Sequence, residues 1–400
     1  MKYNWQLPDW PNFSYETEGL AKIINDYNKC AYGFQGKLEQ ISEEDQAEAY
    51  INLMVEEAIG TSAIEGENLN RAEIRSSVAR FLGINLTQQT GYFPKEDGIA
   101  ALLISVRESF KQPISKDKLC YWHKQLLHGC EDYYRVPITK GDYRDKHIEI
   151  IKEGPFGEQD VIFEGPGDTK QQVSIEMDKF ITWYNATSPL EDINNYIAGP
   201  IRAAIAHLWF VAIHPFDDGN GRIARAIAEH ALFQDFDNPP LFSISMCIND
   251  NRGQYYKQLG NTNRSMDVSQ WVSWFTTTVK ASQSLSIEKV DFILKKTKFW
   301  HRHKNTKLNA RQQKALDKIF GAGLNGFVKT GISNEKYRTI TGCPPATATR
   351  DLKGLVEKGV FSLAGTGKRN LRYMINLVED NPVFNIKAMN AETQPNNTQI

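Results

Sequence analysis

A short polar loop, "HPFDDGNGR" at residues 214–222, lies between two apolar stretches that have the residue spacing of helices. Gly219 and Gly221 permit backbone turns that other residues resist, so several N–H groups can point toward one space. The helix that follows presents its positive end to that space. Arg222 and Arg225 are three residues apart, so both side chains lie near the first helical turn. This combination indicates a binding site for a polyphosphate.

Two further residues of the loop suit chemistry on that polyphosphate. The Asp218 carboxylate would repel the phosphates unless it binds a Mg²⁺ ion that the phosphates share. His214, at the other end of the loop, is a titratable base that can accept a proton beside an electrophilic centre. The alternative is a capped interhelical turn with a structural histidine. That alternative explains a lone histidine or a single Gly-x-Gly, but it does not explain the whole set.

The loop resembles the signature of the Fic family, HxFx(D/E)GNGRxxR. The match holds at every specified position, which are His214, Phe216, Asp218, Gly219, Asn220, Gly221, Arg222 and Arg225. The order of predicted helices is also similar to Fic proteins over residues 45–285. Doc-type kinases of the same fold depart from the Gly-Asn-Gly pattern, so its presence here favours nucleotidyl transfer.

The resemblance implies transfer of AMP from ATP to a Ser, Thr or Tyr hydroxyl of a target protein and of the chain itself, with Mg²⁺ as cofactor. By position, it implies that His214 is the general base and that Asp218 binds the Mg²⁺. The residues implied to hold the phosphates of ATP are Gly219, Asn220, Gly221, Arg222 and Arg225. Two alternatives stay open. One is a DNA-binding regulator with an idle Fic core, and the other is a Fic enzyme that removes AMP or transfers another nucleotide.

A second stretch, "TSAIEGE" at residues 61–67, has a different meaning alone and beside the first. Alone it is a helix end with a solvated glutamate. Beside the signature it resembles the Fic inhibitory motif, (S/T)xxxE(G/N), matched by Thr61, Glu65 and Gly66. The resemblance implies that Glu65 pairs with Arg225 in the place of the γ-phosphate, because arginine binds carboxylates and phosphates with the same fork geometry. Breaking that pair is expected to release activity.

A hairpin is predicted after "GDYR" at residues 141–144, where two β-prone runs flank a Gly- and Pro-rich turn. It resembles the Fic flap, which aligns a target segment by strand addition. The predicted flap residues are His147, Ile148, Glu149, Ile150, Val161, Ile162 and Phe163. In the common form of the family a proline pair follows the second strand. Here "FEGPGD" takes that place, so the register of a target strand stays open.

Aromatic residues occur at two other places of interest. Tyr255 and Tyr256 fall where Fic proteins often place residues near the nucleotide base, so each is a candidate for contact with adenine, with a role in the core as the alternative. The start of the chain, "WQLPDWPNF", resembles an N-terminal segment of some Fic proteins. We expect this segment to cover the core and to carry no chemistry.

A basic module is predicted near the C-terminal end. Residues 306–376 contain 13 Lys and Arg against 4 Asp and Glu, a net charge of +9, whereas the whole chain has a net charge of −1. The pattern of helices followed by two strands resembles a winged helix-turn-helix domain. The residues expected to contact DNA are Thr347, Thr349 and Arg350 on the recognition helix, with Lys368 and Arg369 on the wing. DNA is the favoured partner, and protein docking is the alternative.

The composition and the start of the chain limit the remaining possibilities. Four hundred residues predict two or three domains, and 41% apolar with 24% charged residues is ordinary for a globular protein. Five cysteines without close pairs, and a start without a signal peptide, predict a cytoplasmic protein. No membrane span is expected. A homodimer is compatible with the sequence.

The predicted fold class is mainly α, with a Fic-type helical core, a β-hairpin flap and a small α+β winged helix-turn-helix domain. The first helix of the inhibitory region is expected to end near Gly60, because glycine often follows the last residue of a helix. The predicted segments are an irregular aromatic segment (1–40), helices including the inhibitory helix (41–110), the Fic core (111–285), a linking helix (286–307), the winged-helix domain (308–378) and a disordered tail (379–400).

Overall fold

A computed structural model describes residues 2–39, 42–84, 91–128, 138–153, 159–191, 194–236, 242–321, 324–364 and 371–377. The chain divides into two compact units, Met1–Glu288 and Lys289–Ile400. The described residues are mainly helical with two small two-stranded sheets, which confirms the predicted fold class at that level. Among them, no helix combines the length and the apolar character that crossing a bilayer requires.

The helices of the first unit surround one apolar core. Their bounds are α1 Leu20–Leu38, α2 Glu43–Ile64, α3 Arg71–Phe81, α4 Pro94–Glu108, α5 Lys116–Leu126, α6 Lys170–Ala186, α7 Gly199–Ile213, α8 Asn220–Phe233, α9 Ile244–Asp250, α10 Arg252–Thr262 and α11 Ser269–Arg302. Helix α7 is apolar on nearly all sides and is buried except at Val211, as expected for a central helix. Helix α8 packs along α7, and these two helices form the scaffold of the site.

Two predictions about the N-terminal part are wrong. Residues 1–40 were expected to be irregular, but α1 occupies half of them and buries Leu20, Tyr27 and Phe34 on one face. Helix α2 does not end near Gly60 but continues to Ile64. A Cβ on Gly60 would lie 2.8 Å from the backbone of Ser245, so this glycine allows close packing of α2 on α9 and does not end the helix.

The predicted hairpin is present as strands β1 Glu149–Glu153 and β2 Gln159–Glu164, paired antiparallel with a bulge between Ile150 and Ile151. The first strand therefore begins two residues later than the predicted run. The N-terminal aromatic segment supports this hairpin, because the Trp5 indole donates a hydrogen bond to the Glu164 carbonyl at 2.8 Å. The Tyr3 ring lies edge-on to Phe163 at 6.2 Å between centroids.

The second unit has its own apolar core. It contains α12 Ala310–Gly321, α13 Asn334–Thr341, α14 Pro345–Glu357, β3 Phe361–Ala364 and β4 Arg372–Ile375, with β3 and β4 antiparallel. The boundary between the two units falls within α11. Phe292 and Phe299 of α11 belong to this second core, so the region predicted as a linking helix contributes to packing.

Candidate active site

The signature loop connects the end of α7 to the start of α8 through two left-handed residues. His214 closes α7 with φ 54° and ψ 59°, and it is the one non-glycine residue with positive φ in the described part of the chain. Gly219 precedes α8 with φ 78°. A histidine held in this sparsely populated conformation is a strained position, and such strain persists where the surrounding structure fixes it.

The interior of the loop is closed by the Asn220 side chain. The Phe216 N–H donates to Asn220 Oδ1 at 3.0 Å, and Asn220 Nδ2 donates to the Phe216 carbonyl at 2.8 Å. Both ends of this buried amide are therefore used within the loop. Asn220 is thus positioned to shape the phosphate site, while its backbone N–H lies in the first turn of α8.

His123 of α5 packs against the loop, and its role was not predicted from the sequence. Its ring stacks on Phe216 at 3.9 Å between centroids. The Gly141 N–H donates to His123 Nδ1 at 2.9 Å, so Nε2 carries the proton and donates to the Asp218 carbonyl at 3.1 Å. Burial lowers the pKa of His123 to about 4, which keeps it in this neutral form.

The His214 ring is oriented for proton acceptance. Its Nδ1 lies 3.2 Å from the Val211 carbonyl, which is an acceptor, so Nδ1 carries the proton and Nε2 has the free lone pair. Burial lowers the pKa of His214 to about 4, so the ring is neutral at physiological pH. The ring centroid lies 5.2 Å from that of Phe163 in β2, so the hairpin and the histidine are neighbours.

Arg144, the last residue of "GDYR", joins the hairpin to this histidine. Its side chain is fully buried, and its guanidinium donates to the carbonyl of His214 at 2.8 Å and to that of Ile213 at 3.3 Å. It also donates to the carbonyls of Lys146, Pro166 and Gly167, which flank the hairpin. One cation thus fixes both arms of the hairpin and the backbone of His214. This role of Arg144 was not predicted from the sequence.

The two motifs meet at Arg225. Arg225 Nη2 lies 2.8 Å from Glu65 Oε1, and the same nitrogen donates to the Thr61 carbonyl at 2.8 Å. Arg225 Nε donates to the Thr61 hydroxyl at 2.7 Å. A Cβ on Gly221 would lie 2.2 Å from Glu65 Oε1, so only glycine at this position leaves space for the carboxylate. The pairing of Glu65 with Arg225 implied by the resemblance is thus present as a contact.

Helix α2 ends at this contact. Gly66 has φ 85°, in the left-handed region that glycine adopts without strain, and it follows the C-cap residue Glu65. Thr61 is buried on the last turn of the helix. The motif therefore brings a hydroxyl, a carbonyl and a carboxylate to one guanidinium.

The second arginine has partners that were not predicted. Arg222 Nη1 lies 2.8 Å from Glu67 Oε2, and Arg222 Nη2 lies 3.4 Å from Asp218 Oδ2. Glu67 lies inside the quoted "TSAIEGE" stretch, yet it is outside the motif pattern, so nothing drew attention to it. The one signal in the sequence was spacing, since Glu67 follows Glu65 by two residues and Arg222 precedes Arg225 by three.

The residues around Asp218 fit a Mg²⁺ ion. The Asp218 side chain is 40% exposed and lies beside the guanidinium of Arg222. Protein sites for Mg²⁺ on nucleotides commonly supply one or two carboxylates, and phosphate and water oxygens complete the octahedron. The accessible Asp218 carboxylate matches the part of that donor set that a protein supplies.

The two tyrosines near the site differ in exposure. Tyr255 is buried, and its hydroxyl lies 3.1 Å from His207 Nε2 and 3.5 Å from Arg225 Nη1. Its ring therefore belongs to the core, and its hydroxyl helps to orient Arg225. Tyr256 is 44% exposed, with its hydroxyl donating to the Ile64 carbonyl at 3.0 Å. Of the two predicted candidates, Tyr256 is the one with an accessible ring.

The predicted flap residues fall on the hairpin or at its base. His147 and Ile148 precede β1; His147 Nδ1 lies 2.8 Å from Asp168 Oδ1, and the Ile148 carbonyl accepts from the Gly165 N–H. The apolar side chains exposed on the hairpin are Ile150, Ile151, Val161 and Ile162, whereas Phe163 is buried. Among the described residues neither strand of the hairpin pairs with a third strand, so its edges suit pairing with an extended segment.

The predicted DNA-contacting residues are only partly described. Thr349 and Arg350 are exposed on the first turns of α14, and Thr347 is partly buried. The Thr349 hydroxyl donates to the Pro345 carbonyl at 3.0 Å and accepts from Asn334 Nδ2. Lys368 and Arg369, and the predicted tail, lie outside the described residues.

Comparison with family models gives two matches along the chain. Residues 113–232 match the model described as the Fic/DOC family, and residues 3–84 match a model described as a domain of unknown function, DUF4172. One segment of the chain is therefore similar to the Fic/DOC family, and an N-terminal segment is similar to the DUF4172 domain. The DUF4172 match covers nearly all of the predicted segment 1–40 and only the first part of the predicted segment 41–110.

Curated relatives match parts of the chain at moderate identity. A protein adenylyltransferase named fic-1 from Caenorhabditis briggsae is 25% identical over 203 residues, which is 50% of this chain and 34% of that protein. A protein adenylyltransferase named Fic from Culex quinquefasciatus is 34% identical over 119 residues, which is 28% of this chain and 21% of that protein. The chain thus spans about a third or less of the length of these relatives.

A solved structure supports the fold. The crystal structure of a Fic family protein from Desulfovibrio desulfuricans G20 aligns with a TM-score of 0.52 at 17% identity. The alignment covers 92% of this chain and 98% of that one. At this identity the likeness concerns the fold alone.

Proposed function

We propose that the protein transfers AMP from ATP to a Ser, Thr or Tyr hydroxyl of a target protein and of itself, and that Glu65 holds it inactive. The observation that carries the proposal is the contact of Arg225 with Glu65 at 2.8 Å, within an intact signature loop. The names of the distant relatives, which are protein adenylyltransferases, support it.

The reaction follows from the groups around the loop. The target hydroxyl gives its proton to His214 Nε2 while its oxygen forms a bond to the α-phosphorus of ATP. The bond from that phosphorus to the bridging oxygen breaks, and pyrophosphate leaves with the bonding electrons. Arg222, Arg225 and the N–H groups at the start of α8 stabilise the negative charge on the phosphates. Asp218 would hold a Mg²⁺ ion, which would neutralise further phosphate charge.

The hairpin aligns the target. An extended segment of the target pairs with an edge of the hairpin and places its hydroxyl toward His214, next to Phe163. The buried Arg144 holds the geometry, because it joins the hairpin base to the backbone of the histidine. Catalysis of this type depends on positioning and charge stabilisation more than on covalent chemistry.

The second unit is proposed to be a winged helix-turn-helix domain that contacts DNA. Helices α13 and α14 followed by the β3–β4 hairpin support this assignment. The exposed Arg350 and Thr349 at the start of α14 and the net charge of +9 over residues 306–376 favour a polyanion as partner.

The central test is the intact mass of the Glu65→Gly protein after incubation with ATP and Mg²⁺. A gain of one AMP group per modified site is expected in this variant and not in wild type. His214→Ala in the same background is the matched control, because it removes the base and leaves the phosphate site. Equal labelling of wild type and Glu65→Gly would contradict inhibition by Glu65, and undiminished labelling without His214 would contradict the chemistry.

A further inference from the structure

We propose that Glu67 is a second inhibitory group, which occupies Arg222 as Glu65 occupies Arg225. The turn at residues 65–67 then presents two carboxylates to both arginines that hold the distal phosphates of ATP. This inference rests on the proposed function and extends that function. The two carboxylates of the turn would occupy the places of two phosphates of ATP.

The contact of Glu67 with Arg222 is as close as the contact of Glu65 with Arg225, at 2.8 Å each. The Arg222 side chain is 5% exposed and the Glu67 side chain 32%. Arg222 Nε is buried and has no hydrogen-bond partner among the described residues. A buried guanidinium needs anionic partners, so Glu67 supplies charge that a phosphate would otherwise supply.

The backbone of the turn fixes both carboxylates to the end of α2. The N–H groups of Glu65 and Glu67 both donate to the Ser62 carbonyl, at 3.1 Å and 2.9 Å. Gly66, with its φ of 85°, lies between them. The two glutamates are therefore parts of one rigid helix end, and they face arginines that are three residues apart on α8.

Asp218 belongs to the same network of ion pairs. Its Oδ2 lies 3.4 Å from Arg222 Nη2, on the guanidinium that also holds Glu67. ATP with Mg²⁺ must displace Glu67 from Arg222 and also reorganise the Asp218 carboxylate that is to hold the metal. Removing Glu65 alone frees Arg225 and leaves Arg222 occupied. The Glu65→Gly protein is therefore only partly relieved of inhibition.

The expected size of the effect is moderate. Glu67 is about a third exposed, so solvent screens its pair, and charge-assisted pairs of this kind change binding by about 5-fold. The effect should fall on ATP affinity and not on the rate at saturating ATP, because Glu67 competes with the ground-state phosphates.

The experiment compares full-length Glu65→Gly with Glu65→Gly/Glu67→Gln. The dissociation constant of ATP with Mg²⁺ is measured by calorimetry, and AMP incorporation is measured against ATP concentration. We expect the double variant to have a dissociation constant and a KM about 5-fold lower, with an unchanged kcat. The matched control is Glu56→Gln, which removes the ion pair of Glu56 on α2 with Arg71 on α3 and should change neither value.

Equal dissociation constants in the single and double variants would overturn the proposal. A weaker affinity in the double variant would also overturn it, because Glu67 would then support Arg222 and not block it. Failure of the proposed function has a different signature, namely no AMP incorporation in either variant while both bind ATP. The comparison of dissociation constants still decides the role of Glu67 in that case.

Discussion

Replacing Glu65 should lower the stability of the free protein and raise its response to ATP. Arg225 is 2% exposed at its side chain, so loss of Glu65 leaves a buried guanidinium without its anion. A wholly orphaned buried charge costs about 3–5 kcal/mol. Arg225 keeps its bonds to the side chain and carbonyl of Thr61. Glu65 itself is 31% exposed. We therefore expect a loss of about 1.5 kcal/mol, or roughly 3 °C in Tm.

The response to ATP follows from the same pair. If the pair contributes about 1.4 kcal/mol against ATP, then wild type binds ATP about tenfold more weakly than the variant. At an ATP concentration about 100 times the variant's Kd, ATP stabilises the variant by about 2.7 kcal/mol. Wild type at that concentration gains about 1.4 kcal/mol. The gap between the two melting temperatures should therefore nearly close when ATP and Mg²⁺ are added.

The assay is a thermal melt of wild type and Glu65→Ala with and without ATP and Mg²⁺. Alanine is used because glycine would add an entropy change in the unfolded chain. Glu56→Gln serves as the control for loss of a carboxylate from the same helix. The reasoning is refuted if Glu65→Ala is as stable as wild type without ATP, or if both proteins gain equally when ATP is added.

Three further predictions concern other parts of the molecule. Arg144→Lys should destabilise the protein by about 3 kcal/mol in a urea titration, because several buried carbonyls lose their donor. It should also lower AMP incorporation in the Glu65→Gly background, and a change in neither quantity would contradict a positioning role for Arg144. Burial lowers the pKa of His214 to about 4, so the rate of AMP incorporation by Glu65→Gly should stay level as pH falls from 8 to about 5. The rate should drop at lower pH as the His214 ring becomes protonated, and a midpoint near pH 6.5 would contradict this prediction. Arg350→Ala should weaken DNA binding uniformly across sequences and lower its salt dependence, measured by fluorescence anisotropy; an unchanged salt dependence, or no DNA binding at low salt, would favour protein docking.

The signature loop could be predicted from sequence because its determinants are local. Nine consecutive residues and the helix after them specify the glycine turn, the helix N-terminus and the spacing of Arg222 and Arg225. No periodicity or spacing indicates that Glu65 lies 2.8 Å from Arg225, which is 160 residues away. That contact was expected only because of the resemblance to a family motif. The roles of the loop in catalysis and of Glu65 in inhibition stay predictions.

The errors have a common physical origin. Gly60 was interpreted as the end of a helix, because glycine is common after a helix, but its function is close packing against Ser245, which is distant in sequence. Glu67 and His123 were missed for the same reason, since what gives each of them a role is a partner on another element. Arg144 donates to carbonyls on both sides of the hairpin and to the last carbonyl of α7. Such side chain to backbone contacts leave no pattern in one sequence.

In the proposed function, the same two glutamates inhibit ATP binding and stabilise the free protein. Two nearly buried guanidiniums three residues apart repel each other and need anions, so a phosphate site of this kind is unfavourable when it is empty. Glu65 and Glu67 satisfy that need from one helix end. Displacing α2 without replacing its charge therefore exposes an unfavourable site, whereas ATP with Mg²⁺ supplies equivalent charge. A natural activator is accordingly expected to move α2 only when nucleotide is present, and an activator that binds with the same affinity with and without ATP would contradict this coupling.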